Sequence, residues 1–144
     1  MSRPARVEGR QMVSVPFFDS EPTAALRILV VEDDDDSREL MATLLAEKGT
    51  HGVTEARSGE EGLDRLRRNA YDLVVTDIGL PNIHGLEMLD TAKAEGLLGQ
   101  AIVVVCTANE GVGASVARRG AILLPKPVDV NALASVLRGA ERRH

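Results

Sequence analysis

The chain has 144 residues, 44% of them hydrophobic but only 2% aromatic, which points to one domain with an aliphatic core and excludes base-stacking platforms and aromatic cages. The formal net charge is −5, so there is no global basic footprint for nucleic acid. The single cysteine, Cys106, excludes an internal disulfide, no Cys/His cluster has zinc spacing, and no apolar run approaches a bilayer span.

Residues 1–25 hold Pro4, Pro16 and Pro22, half of the six prolines, with no sustained apolar period. A flexible N-terminal extension is expected here, with Val15-Pro16-Phe17-Phe18 as a short candidate docking segment. No apolar stretch follows the first basic residues, so no signal peptide is read and a cytoplasmic location is expected. From Arg27 the pattern is regular. Ile28–Val31 reads as a buried strand, and Leu40, Leu44 and Leu45 recur at helical spacing up to Lys48 and Gly49. In the acidic run before them, Asp35 or Asp36 is the expected helix cap. Val53–Ala56 is a weak strand. Ser58-Gly59-Glu60-Glu61 forms a capping box opening a helix with Leu63, Leu66 and Ala70 on one stripe.

Leu73–Thr76 is the third strand, stopped by Asp77 and a loop with Gly79, Pro81, Asn82 and Gly85. Leu86 and Leu89 mark a helix running to about Glu95. Ala101–Cys106 is a Val-rich strand, and Glu110–Arg119 a short helix weakened by Gly111 and Gly113. Ile122–Leu124 is the last strand. Asp129 caps a final helix with Leu133, Val136, Leu137 and Ala140 on one face, and the basic residues at its end complement the helix dipole.

Strand then helix, five times over, defines an α/β doubly wound parallel sheet. Such sheets place their ligand site beyond the carboxyl ends of the strands. The residues there are Glu32 and Asp33 after the first strand, Asp77 after the third, Thr107 after the fourth and Lys126 after the fifth. Carboxylates brought together repel and call for a cation. Mg²⁺ suits them, because it takes oxygen ligands and keeps several waters. A hydroxyl and an ammonium beside them suit a phosphoryl group, whose transfer needs positioning and charge neutralisation above all.

These residues carry a resemblance to the receiver domain of bacterial two-component response regulators. The matching stretches, in the family's order, are Ile28-Leu29-Val30-Val31-Glu32-Asp33-Asp34, Asp77-Ile78-Gly79-Leu80-Pro81 with Gly85, Thr107-Ala108, Gly120-Ala121 and Lys126-Pro127. The resemblance implies a flavodoxin-like five-stranded sheet of order 2-1-3-4-5, with the receiver domain over residues 26–144. By position it implies that Asp77 is the phosphoacceptor, that Thr107 is the hydroxyl closing on the phosphate, and that Lys126 pairs with it. It implies Mg²⁺ (or Mn²⁺) held by Glu32, Asp33, Asp77 and the carbonyl of Gly79, and commonly a cis bond between Lys126 and Pro127. The implied partners are a histidine kinase or histidine phosphotransfer protein and a downstream protein target. No direct nucleic-acid contact, membrane insertion or dedicated enzyme activity is expected of this stand-alone type, beyond catalysing its own phosphorylation and dephosphorylation.

Leu123 and Val128 stand where the family often carries rings, so the usual aromatic switch is missing. Two alternatives remain open from sequence. One is a receiver-fold interaction module acting without phosphorylation. The other is a phosphatase with an aspartyl-phosphate intermediate, although Gly79 occupies the place where a second acid would stand. His84 reads as a solvated loop residue or a tuner of phosphoryl transfer, and Cys106 as a small buried hydrophobe.

Overall fold

The computed structural model describes residues 25–47, 51–80 and 84–143. The expected extension over residues 1–25 lies outside them except for Ala25. So do the expected helix end at Lys48 and Gly49 and the loop residues Pro81 and Asn82. The elements follow in strict alternation: β1 (Arg27–Val31), α1 (Asp35–Glu47), β2 (Gly52–Ala56), α2 (Gly59–Arg68), β3 (Leu73–Asp77), α3 (Gly85–Ala94), β4 (Ile102–Thr107), α4 (Gly113–Arg118), β5 (Ile122–Pro125) and α5 (Val130–Arg143). The strands form one parallel sheet in the order β2-β1-β3-β4-β5, the order expected.

The central strands β1, β3 and β4 are buried on both faces, and alternate residues serve different layers. Ile28, Val30, Val75, Val104 and Leu124 pack with Leu45 of α1 and with Leu133, Leu137 and Ala140 of α5. Leu29, Val31, Val74 and Val105 pack on the opposite face with residues of α2, α3 and α4. Tyr71 belongs to this second layer, and the Arg27 guanidinium lies 5.7 Å from its ring centroid. No helix among the described residues is long and apolar enough to cross a membrane.

Helix ends follow local chemistry and differ from the sequence reading at several positions. The cap of α1 is Asp34, not Asp35 or Asp36: its Oδ2 accepts the Ser37 amide at 2.8 Å, and its carbonyl takes the first helical bond, from Arg38, at 2.9 Å. Ser58 caps α2 through the Glu61 amide at 3.1 Å, but Glu61 Oε1 reaches back to the Arg57 amide rather than to that of Ser58. That helix ends at Arg68, so Ala70 falls beyond it and is exposed. Asp129 accepts the Asn131 amide at the start of α5, as expected.

Leu40 differs as well. It is 61% exposed although it shares the spacing of Leu44 and Leu45. At 3.6 residues per turn it lies about 140° around α1 from the fully buried Leu45, at the margin of the apolar stripe. The segment with Gly111 and Gly113 splits into a 3-10 turn, Glu110–Val112, and the six-residue α4, which has no side-chain cap. Arg119 ties α4 to α3 through both oxygens of Asp90, at 2.7 and 2.9 Å.

Two substitutions separate core from edge. Leu133 is fully buried, so Leu133→Ala should lower unfolding free energy by about 2–5 kcal/mol in chemical denaturation. Ile122 on edge strand β5 is 41% exposed, so Ile122→Thr should stay within about 0.5 kcal/mol of the parent.

Candidate functional site

Parallel register delivers the strand ends to one edge. Glu32 follows β1, and its amide donates to the Ala56 carbonyl at 3.0 Å, which holds the residue at the end of the β1–β2 pair. Asp77 closes β3 opposite Cys106 of β4. Thr107, one residue further along β4, pairs with Pro125 of β5, and its carbonyl accepts the Lys126 amide at 3.0 Å. The Lys126–Pro127 peptide is cis. Residues nearly the full domain apart in sequence thus meet: Lys126 Nζ stands 3.0 Å from Glu32 Oε1 and 3.3 Å from Asp77 Oδ2.

Glu32, Asp33 and Asp77 each place a carboxylate oxygen within 4.8 Å of the others. One ammonium among three carboxylates leaves excess negative charge in a partly desolvated pocket. Like charges about 4 Å apart repel by roughly 4 kcal/mol each at an effective dielectric near 20. Glu32 registers this: burial raises its pKa, against the opposing pull of the Asp34 amide and Lys126, and Asp77 adds to the rise. For Lys126, burial alone would lower the pKa, but hydrogen bonding to Glu32 and the charge of Asp77 win and raise it. The ammonium stays charged. The donor set is all oxygen, and Asp33 is exposed, leaving room for bound water. Such a set fits a small hard divalent cation such as Mg²⁺.

Around this centre the remaining polar atoms have defined tasks. Asp77 Oδ1 accepts the Ile78 amide at 2.7 Å, which orients the carboxylate. Thr107 is buried, and its Oγ1 accepts the Asn109 amide at 3.0 Å, so its hydroxyl proton remains available. A Cβ built on Gly79 would meet nothing within 4 Å, so local packing does not demand glycine there. His84 caps α3, its Nδ1 accepting the Leu86 amide at 3.3 Å. Cys106 is buried, and burial pushes its thiol up to about 12, so it stays protonated.

Two residues that shape the site have roles the sequence reading did not assign. Arg38 is 6% exposed. Its Nη1 donates to the Glu32 carbonyl at 3.0 Å, while Nη2 and Nε bind Asp35 and Glu55 at 2.6 and 3.1 Å. It fixes the backbone of the β1–α1 turn from which Glu32 and Asp33 project. A lone Arg closing the run Asp33-Asp34-Asp35-Asp36-Ser37 was the available signal. Gly85 is the other. A Cβ there would collide with the Asp77 carbonyl, and its amide donates to the Ile78 carbonyl at 3.0 Å. Its glycine lets the start of α3 press against the end of β3.

The open parallel sheet thus gathers carboxylates, a hydroxyl and a lysine at its carboxyl edge. Residues 28–138 match the family described as "Response regulator receiver domain", and the chain belongs to that family. "Response regulator MprA" from Mycobacterium sp. (strain KMS) is 35% identical over 121 residues, covering 82% of this chain and 51% of that protein. "Transcriptional regulatory protein DltR" from Streptococcus agalactiae serotype III (strain NEM316) is 42% identical over 72 residues, 50% of this chain and 32% of that protein. The chain therefore spans about half of one of these curated relatives and about a third of the other. Among solved structures, the N-terminal domain of an uncharacterized protein (WS1339) from Wolinella succinogenes superposes with a TM-score of 0.75 at 36% identity, covering 82% of this chain and 95% of that one. The receiver domain of the hybrid histidine kinase CckA gives a TM-score of 0.66 at 37% identity, covering 80% and 98%.

The geometry gives two measurable outcomes. Gly85→Ala should destabilise the fold by about 1–3 kcal/mol, because backbone must move, whereas Gly79→Ala should stay within about 0.5 kcal/mol, both read by denaturant unfolding. In chelator, carboxyl NMR of Glu32 should show a midpoint above the ordinary 4.5, and Lys126→Met should move it further up, since the cation holds it down. A carboxyl with a raised folded pKa binds its proton more tightly in the native state. Its ionisation therefore weakens the fold as pH rises from the unfolded value through the folded one.

Proposed function

We propose that this receiver domain accepts a phosphoryl group on Asp77 from the phosphohistidine of a histidine kinase or histidine phosphotransfer protein. The observation that carries the reading is Lys126 Nζ poised between Glu32 and Asp77, with Asp33 completing the acid cluster. In the transfer, a carboxylate oxygen of Asp77 forms the new P–O bond while the P–N bond of the donor breaks and its electron pair returns to the imidazole. Lys126 neutralises charge on the arriving group, and the Ile78 amide keeps the carboxylate aimed. Thr107 turns its free hydroxyl proton to a phosphoryl oxygen. Glu32, Asp33, Asp77 and the Gly79 carbonyl are the residues that would hold Mg²⁺ (or Mn²⁺). The ion would offset the negative charge shared between carboxylates and phosphoryl group.

The chain's own catalysis is confined to gaining and losing this group. Phosphorylation adds charge beside Lys126 and draws Lys126 and Thr107 inward. That biases a two-state surface read by a downstream protein or relays the group to another histidine. The setting is cytoplasmic, where such donors act. A module working without phosphorylation is the second reading, favoured by the lack of rings at Leu123 and Val128 and by the six-residue α4.

A small phosphodonor should label the protein in the presence of Mg²⁺, and Asp77→Asn should abolish the labelling. Asp33→Asn should raise the Mg²⁺ concentration required by about tenfold or more. Equal labelling of the Asp77→Asn protein would overturn the site. A wild-type protein that neither labels nor binds beryllofluoride would establish the second reading instead.

A further inference from the structure

Arg38 is a buried cation in the first turn of α1. Both its place and its burial run against its chemistry. The unsatisfied amides of a helix N-terminus disfavour positive charge, and an arginine taken out of water needs partners for its guanidinium. Those partners come from three places. Nη2 and Nε hold Asp35 and Glu55, two exposed carboxylates on α1 and β2, while Nη1 donates to the Glu32 carbonyl at 3.0 Å.

The contact to Glu32 bears on the site. That carbonyl belongs to the peptide unit joining Glu32 to Asp33, two of the three members of the acid cluster. A peptide unit is planar, so holding its oxygen restricts the direction in which both side chains leave it. The backbone is held on either side as well. The Glu32 amide donates to the Ala56 carbonyl at 3.0 Å, and the Asp34 amide to Glu32 Oε2 at 3.2 Å. Asp33, itself exposed, lies between these two residues. Arg38 acts from outside the pocket. A cavity of about 250 Å³ beside the acid cluster is walled by Leu40, Met41 and Leu44 of the same helix, whereas Arg38 turns toward β2.

We propose that Arg38 is a positioning residue for the cation site: by fixing the peptide between Glu32 and Asp33 it presets their carboxylates for a divalent ion. This role rests on the proposed cation-dependent function of the acid cluster. Charge and position make opposite forecasts for it. A guanidinium repels a nearby divalent cation and also neutralises Asp35 and Glu55, so by charge alone its removal tightens Mg²⁺ binding. Loss of positioning weakens it.

Mg²⁺ titration of the full chain, followed by the amide shifts of Glu32, Asp33 and Ile78, decides between them. Arg38→Met should raise the dissociation constant about tenfold or more, as for residues that hold metal ligands from behind. Arg38→Lys keeps the charge but loses the planar fork, so it should stand between parent and Arg38→Met. Arg67→Met, which removes a pair with Glu95 away from the site, should bind as the parent does. In chelator, the Glu32 and Asp34 amides should exchange with solvent faster in Arg38→Met, while Leu137 in the α5 layer keeps its parent rate, the signature of a loosened turn in an intact fold. An unchanged or smaller dissociation constant in both Arg38 variants would overturn the proposal. So would parent-like binding in Arg38→Lys beside an Arg38→Met chain that exchanges faster throughout the sheet, since the role would then be structural alone. A parent chain without Mg²⁺-dependent shifts would overturn the proposed function and this role with it, a result distinct from both.

Discussion

The contact on which the site depends is a single ammonium held between two carboxylates. Lys126 meets Glu32 and Asp77, and 94 residues separate Lys126 from Glu32 along the chain. They meet because all five strands run parallel and end on one edge, with β1 beside β3 and β5 two strands beyond β3, past β4. That topology requires helices on both faces, and hence two apolar layers rather than one. Aliphatic side chains of moderate size serve a thin, doubly covered sheet well, which gives a structural sense to a chain with so few rings. The pair is no cheap source of stability, since taking these charges partly out of water offsets much of their attraction. What it secures is a cation fixed where negative charge would arrive.

Much of this was legible in the sequence because the relevant positions are punctuation. Each buried strand is a short apolar run, and the first polar residue after it marks the edge. Glu32, Asp77, Thr107 and Lys126 are therefore placed on one edge by the sequence alone, and strand order follows from the family resemblance. Less legible were contacts whose partners lie in other segments. Arg38 reads locally as a surface partner for neighbouring acids. Only folding shows its guanidinium buried against the Glu32 carbonyl and Glu55 of β2. Gly85 reads as a turn residue, yet its constraint is the Asp77 carbonyl pressed against it.

Smaller differences have similarly local causes. Asp34 caps α1 in place of its two neighbours because the turn after Glu32 is short, and the Glu32 side chain itself accepts the Asp34 amide at 3.2 Å. Leu40 lies at the margin of a stripe that periodicity alone cannot bound. It lines the cavity beside the site instead of filling the core. With Leu123 half-buried against the α2–α4 layer and Val128 at the cavity wall, the elements next to Lys126 carry no ring. In the proposed function, a change of charge at Asp77 then acts on its surroundings through Lys126, Thr107 and the backbone that joins them, without an aromatic lever.

In the proposed function, Asp77 and its acid neighbours form one competent, cation-dependent phosphoryl site. A heteronuclear NMR comparison of the metal-free, Mg²⁺ and Mg²⁺–beryllofluoride states tests it most directly. Mg²⁺ should shift the amides of Glu32, Asp33 and Ile78, and beryllofluoride should extend the shifts to Thr107, Asn109 and Lys126. Spectra unchanged at these residues in both ligand states would contradict it.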